Sequence, residues 1–139
     1  MPFSNYNFSI ITTKHEMMVD ITNEIEKIIA KENEQTSLNG ICHISIPHTT
    51  AGVTINENAD KDVKSDFMSI LTDLIPQKQT FLHVEGNSDA HVKASLMGFH
   101  QQIIILNGKL QLGLWQGVMF CEFDGPRTRN IQVSIWTEA

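Results

Sequence analysis

Apolar and polar positions recur with two different periods along this chain, and the switches between the periods mark out its elements. An N-terminal stretch reads as an edge strand. Asp20 or Thr22 then caps a helix on which Ile21, Ile25, Ile28 and Ile29 fall at helical spacing, giving it one apolar face. From Gly40 to Pro47 the period drops to two. Cys42, Ile44 and Ile46 share a face there, and the same parity carries His48 to the strand's end on that side. Val53 and Ile55 predict a second short strand leading to Glu57. The clearest helix comes next, with Val63, Phe67, Ile70, Leu71 and Leu74 on one stripe, Asp60 or Asp62 at its start, and Pro76 stopping it.

Thr80 to Glu85 has the pattern of a strand with His83 and Glu85 on one face, broken by Gly86-Asn87. Ser88 caps a short third helix ending near Gly98, on which His91 and Ser95 stack. The last third is β. Ile103 to Leu106, Asn107-Gly108 and Lys109 to Leu112 form a hairpin signal, because both central residues of a type I′ turn need positive φ. Val118 to Asp124 and Ile131 to Trp136 flank a second turn at Gly125-Pro126. Helices mixed with largely antiparallel strands predict an α+β fold, a compact single domain over 1–139 with about three helices packed on the sheet.

Composition narrows the partners. The chain is 41% hydrophobic and 19% charged, the balance of a globular domain, and no repeat or low-complexity tract divides it. A formal net charge of −6, with its ten Lys and Arg scattered, leaves no footprint for a phosphate backbone, so nucleic acid is not an expected partner. A local basic pocket for a small phosphorylated metabolite is still compatible with that charge. Cys42 and Cys121 each sit in an apolar strand and are expected as buried thiols rather than a disulfide. No signal pattern and no membrane-length apolar run is visible, so the expectation is a cytoplasmic protein with no membrane partner.

Three of the six histidines stand beside other polar residues at predicted element ends, where sites are built: His48 in His48-Thr49-Thr50, His83 before Glu85, and His91 in a helix's first turn. Three imidazoles and a water make a known catalytic zinc arrangement, although this spacing matches no compact ligand motif. His15, His43 and His100 read as separate surface or hydrogen-bonded residues. Asn56 to Asp60 and Glu85 to Asp89 are polar knots before helices, suited to an anion or to ordinary capping. Glu122 and Asp124 follow Val118 and Phe120 on one strand face, and a carboxylate carried inward needs an ion partner or a cation. Arg127 and Arg129 supply either a structural ion pair across the turn or bidentate phosphate recognition. Trp115, between Gly113 and Gly117, is either a packed core or interface residue or a stacking wall for a flat ring.

Taken together, His48-Thr49-Thr50-Ala51, Asn56-Glu57-Asn58-Ala59-Asp60, His83-x-Glu85-Gly86-Asn87, Asp89-Ala90-His91-x-Lys93-Ala94-Ser95, Gly108-x-Leu110, Leu112-Gly113-x-Trp115-Gln116 and Glu122-x-Asp124-Gly125-Pro126-Arg127-x-Arg129 resemble the YjbQ family over nearly the whole chain. Two departures show: Leu114 stands where the family usually has Thr, and Lys61 replaces a common Pro before Asp62. The resemblance implies a homotrimer in which His48, His83 and His91 hold a divalent metal ion, zinc first and magnesium second, with Glu122 and Arg127 close by. It also implies secondary thiamine-phosphate synthase activity, in which hydroxymethylpyrimidine pyrophosphate is joined to a thiazole phosphate with release of pyrophosphate.

That chemistry needs cations on the leaving pyrophosphate and a dry surface for a flat ring. Lys93, Arg127 and Arg129 are the expected phosphate ligands, Trp115 the ring wall, and Glu122 and Glu57 the catalytic carboxylates. The competing expectation is a non-enzymatic metal- or metabolite-binding homotrimer, or a phosphate-ester hydrolase. A fourth protein ligand such as Glu57 or Glu122 would close the metal and favour the non-enzymatic form, since a catalytic zinc keeps one position open.

Overall fold

Two antiparallel sheets turn their apolar faces toward each other. The computed structural model describes residues 3–33, 38–78 and 80–138. In chain order the elements are β1 (Phe3–Ile11), β2 (Met17–Asp20), α1 (Thr22–Asn33), β3 (Gly40–Ser45), β4 (Ala51–Glu57), α2 (Lys61–Leu74), α3 (Ser88–Met97), β5 (His100–Leu106), β6 (Lys109–Leu110), β7 (Gln116–Glu122) and β8 (Thr128–Thr137). One sheet has the order β1-β8-β3-β5-β6 and the other β2-β7-β4. This is the α+β single domain that the alternation predicts, with the N-terminal strand at an edge.

The core lies between the sheets because strand parity puts it there. Cys42, Ile44, Ile103, Ile105, Ile131, Val133 and Ile135 face Val53, Val118 and Phe120, and α1 closes one end with Ile21, Ile25 and Ile29. Asp20 begins α1, its Oδ1 accepting from the Thr22 amide at 2.9 Å. A smaller cluster lies on the far side of the second sheet, where Cys121 and Phe123 meet Ala90 and Ala94 of α3. Both cysteines are free and buried, and burial pushes each thiol up to about 12. Among the described residues no helix is long and apolar enough to cross a membrane.

Helix α3 lies close against β4 because Gly52 has no side chain. A Cβ there would stand 2.7 Å from the Gly98 carbonyl oxygen, which already accepts from the Val53 amide at 3.1 Å. Gly52→Ala is expected to destabilise the fold by about 1–3 kcal/mol by levering α3 off the strand, measured by urea denaturation.

Four expectations change. Thr80 to Glu85 is a loop, with Leu82 and Val84 fully exposed and no ladder to join. Ser88 does not cap α3; Asn87 holds that position and makes no side-chain capping bond. The apolar stripe of α2 exists, yet none of its residues is fully buried and Ile70 and Leu74 are largely exposed. The turn at Gly125-Pro126, whose peptide bond is cis, is a corner between the two sheets and not a hairpin, since β7 and β8 belong to different sheets. The Asn107-Gly108 hairpin forms as expected, with φ of 51° and 74°, although β6 ends at Leu110.

Candidate functional site

The sheet corner creates the site's floor. Glu122 keeps the inward parity of Val118 and Phe120, and Arg129 keeps that of Ile131, so the two side chains meet at the edge of the core. Both are buried. Arg129 Nε donates to the Glu122 carboxylate at 2.9 and 3.1 Å, and its Nη2 bonds the same carboxylate and donates to Thr50 Oγ1 at 2.9 Å. Thr12 Oγ1 and the Asp124 amide also donate to Glu122, at 2.7 and 3.1 Å. Burial alone would raise the Glu122 carboxyl, but the Arg129, Thr12 and Asp124 bonds outweigh it and hold it below its ordinary value.

Above this floor opens a cleft of about 1030 Å³, and His48, His83 and His91 all line it together with Glu85, Asp124 and Arg127. The His83 and His91 rings stand perpendicular with centroids 5.6 Å apart. His48 arrives by a different route. Pairing of β3 with β8 ends at Ser45 opposite Gln132, and continuing that register places Pro47 opposite Asn130. The Asn130 amide donates to His48 Nε2 at 2.9 Å instead. Burial and the nearby Arg129 guanidinium lower the His48 pKa, which favours the neutral ring at neutral pH.

The remaining wall is a hydrogen-bonded chain. Asn87 Nδ2 donates to Asp124 Oδ2 at 2.8 Å, and Arg127 Nη2 reaches the same oxygen at 2.7 Å. Burial would raise the Asp124 carboxyl, but these two donors hold it below its usual range. Asn87 Oδ1 is buried and has no partner among the described residues. His15 approaches from outside, its Nδ1 3.9 Å from Asp124 Oδ1. Of these, Glu85, Asn87 and Asp124 were visible in sequence as caps, by strand parity and within the motifs that carry the family resemblance, without an assigned role in the site. Nothing in sequence placed His15 here, because it comes from a loop distant in the chain.

Several expected site residues stand elsewhere. Lys93 is fully buried, its Nζ 3.1 Å from Asp89 and 3.2 Å from Glu16, so it is not free to meet a phosphate. Arg129 and Glu122 are spent on each other below the cleft. Glu57 and Trp115 lie at the far end of β4 and β7, roughly 20 Å along the strand from Ala51 at ~3.3 Å per residue. Trp115 is 59% exposed there, so it is neither core nor a wall of this cleft.

The imidazoles suit a metal only in part. His83 and His91 are adjacent, and carboxylates are within the same walls. Yet among the described residues no three His, Cys, Asp or Glu side chains converge closely enough to hold one ion. A ligating His usually donates its second ring N–H to an acceptor, whereas the second nitrogen of His48 is bound to a donor. His48 fits as a ligand through Nε2 once its ring leaves Asn130. Where it stands, its Nδ1–H suits a hydrogen bond to an anion.

Comparison with known proteins bears on the whole of this arrangement. A family model described as UPF0047 protein YjbQ-like matches residues 6–138. The UPF0047 protein MJ1081 of Methanocaldococcus jannaschii is 52% identical over 130 residues, covering 94% of this chain and 92% of its own. The UPF0047 protein YugU of Bacillus subtilis is 49% identical, covering 91% and 94%. Among solved structures, an uncharacterized YjbQ/UPF0047 protein of Clostridium acetobutylicum is 50% identical with a TM-score of 0.89 over 94% of this chain and 99% of that one. A YbjQ-like protein of unknown function from Sulfolobus solfataricus is 29% identical with a TM-score of 0.91, covering 99% of both chains. With sequence and fold matched almost end to end, and the motif residues that line the cleft inside the matched span, the chain belongs to the YjbQ-like UPF0047 family.

Proposed function

We propose that the cleft binds a divalent metal ion, zinc first, and acts on a small phosphorylated substrate in the manner of a secondary thiamine-phosphate synthase. The observation that carries this reading is the gathering of His48, His83 and His91, distant in sequence, into one polar cleft. Neutral imidazole is the form that binds metal, and the lowered pKa of His48 supports it. Of the two carboxylates expected to close a fourth position, Glu57 stands at the far end of β4 and Glu122 is bonded to Arg129, so Glu85 and Asp124 are the carboxylates in the cleft walls. A bound metal would supply charge neutralisation at a phosphoryl oxygen. Arg127, exposed at the rim, offers the guanidinium for the phosphate, and Asp124 holds it in place through Oδ2. His48 Nδ1–H offers a further donor. The family resemblance brings a cytoplasmic homotrimer to the same proposal.

One observation favours a second reading. With Lys93 buried in ion pairs and Arg129, although it lines the floor, buried against Glu122, Arg127 is the one expected cation exposed in the cleft, a thin complement for a leaving pyrophosphate. A metabolite-binding protein without turnover, or a hydrolase of simple phosphate esters, needs fewer cations. The test is purified protein with zinc, hydroxymethylpyrimidine pyrophosphate and thiazole phosphate, following pyrophosphate release. Turnover abolished by a chelator and restored by zinc is expected. Stoichiometric metal with no turnover on these substrates or on a panel of phosphate esters would move the conclusion to binding alone.

A further inference from the structure

The back of helix α3 carries charge into the interior. Lys93 lies about 200° around the helix from His91, so the cleft takes the ring and the interior takes the ammonium. Lys93 is wholly inaccessible, and Asp89, one turn before it on the same face, is buried too. Glu16, from the loop between β1 and β2, completes a trio of one cation and two carboxylates. Lys93 Nζ donates to Asp89 Oδ2 at 3.1 Å and to Glu16 Oε1 at 3.2 Å. Thr72 Oγ1 of α2 donates to the other oxygen of Glu16 at 3.2 Å. The rest of the helix is seated differently. Ala90 and Ala94 rest on Cys121 and Phe123, and the Gly98 carbonyl pins the C-terminal end to β4. Methyl contacts have no direction and let a helix slide or roll slightly, whereas a charge-assisted bond fixes it.

A buried ion pair seldom adds stability over apolar side chains of similar size, so stability does not account for this trio. Its place in the fold does. The loop that carries Glu16 also holds the opposite wall of the cleft. The Thr12 amide donates to the Arg127 carbonyl at 2.8 Å, the Arg127 amide donates to Thr12 Oγ1 at 2.9 Å, and the Gly125 amide donates to the His15 carbonyl at 2.9 Å. Residues 12–16 therefore grip the corner that bears Asp124 and Arg127 at one end and the back of α3 at the other. We infer that Glu16 is a positioning residue of the cleft: through Lys93 it sets where His91 stands relative to Arg127. The inference rests on the reading proposed above, in which His91 serves the metal and Arg127 the phosphate. Both must meet one phosphoryl group, and a misplacement of about 1 Å costs on the order of 10²-fold in rate.

The test uses the full chain with zinc, the pyrophosphate-release assay above and two variants that separate reach from charge. Glu16→Gln keeps the side chain's length and an oxygen to accept from Lys93, but loses the charge. Glu16→Asp keeps the charge and is one methylene shorter. Asp89 still pairs with Lys93 in both, so both are expected to fold, which thermal melts check. Glu16→Gln is expected to keep kcat within about threefold of the natural chain. Glu16→Asp is expected to lower kcat about tenfold or more with KM within about twofold, because the phosphate still meets Arg127 and only the alignment is lost. Ile29→Val, in the core on α1, is the control and should lower the melting temperature without lowering kcat. A crystal structure of Glu16→Asp is expected to show the His91 ring displaced by about 1 Å relative to Arg127. Natural kcat in Glu16→Asp overturns the inference, and so does an equal loss in Glu16→Gln or Ile29→Val, or a His91 ring that has not moved. A natural chain without turnover is failure of the enzymatic reading, and the displacement of His91 then decides the inference by itself.

Discussion

Replacing Arg129 with leucine is expected to destabilise the protein by about 3–5 kcal/mol, the cost of leaving a buried charge without its partner. Against a total stability on the order of 5–15 kcal/mol, that is enough to make a cooperative fold marginal. The reason is the completeness of the network. Glu122 is wholly inaccessible and takes bonds from Arg129, Thr12 and the Asp124 amide, while Arg129 also ties down Thr50 two residues beyond His48. Removing the guanidinium therefore loosens the site's floor as well as the core. Urea denaturation at neutral pH measures the effect. The double replacement Glu122→Leu with Arg129→Leu should recover most of the loss, because the penalty comes from the stranded charge and not from the missing attraction. The pH dependence has a definite sign. The Glu122 carboxyl is held below its ordinary value of 4.5, so its contribution is complete above that value and is lost as pH falls through the lower, folded-state one. A natural protein whose stability stays flat through that fall would contradict the assignment.

His91→Ala is expected to lower turnover by about 10²-fold or more while leaving the fold nearly as stable. His91 stands on α3 with its ring in the cleft, and its nearest aromatic neighbour is the exposed His83, so little packing is lost with it. His83→Ala should act alike on turnover and metal content. Because the two rings are argued to serve one ion, the double variant should be scarcely worse than either single one. Kinetics with metal content by elemental analysis, beside thermal melts, separates this from unfolding. The third ring titrates. Burial and Arg129 lower His48 from its ordinary 6.5, so activity that needs the neutral ring should hold at neutral pH and fall only in more acidic solution. Additive losses from His83 and His91, or full turnover without either, would dissolve the site.

The parts of this fold legible in sequence are those decided by local period. The alternation in Gly40 to Pro47, the positive-φ pair Asn107-Gly108 and the inward parity of Glu122 each depend on neighbours a few residues away. They came out as expected. What failed depends on distant partners. Phe81, Leu82 and Val84 have strand-forming character, but a strand exists only where it joins a ladder, and this segment pairs with none of the edge strands β1, β6, β2 and β4. Gly125-Pro126 signals a turn equally well whether the next strand folds back or crosses to another sheet. Lys93 looked free because its partners, Glu16 and Asp89, come from a loop near the N-terminus and from one helical turn away. The cleft's imidazoles were nameable from the family motifs. Their neighbours His15 and Asn87 enter through loops that no periodicity describes.

Strand β8 lies between β1 and β3 in its sheet. Among the described strands the last to be synthesised is therefore a central one, and Phe3 cannot find Trp136 until the chain has been made as far as β8. Until then β1 and β3 have no partner between them, and neither the Asn130 amide that holds His48 nor the Arg129 that answers Glu122 is in place. The nascent chain must wait with its apolar strand faces uncovered, which makes protection during synthesis, more than speed of collapse, the condition for a good yield of native protein.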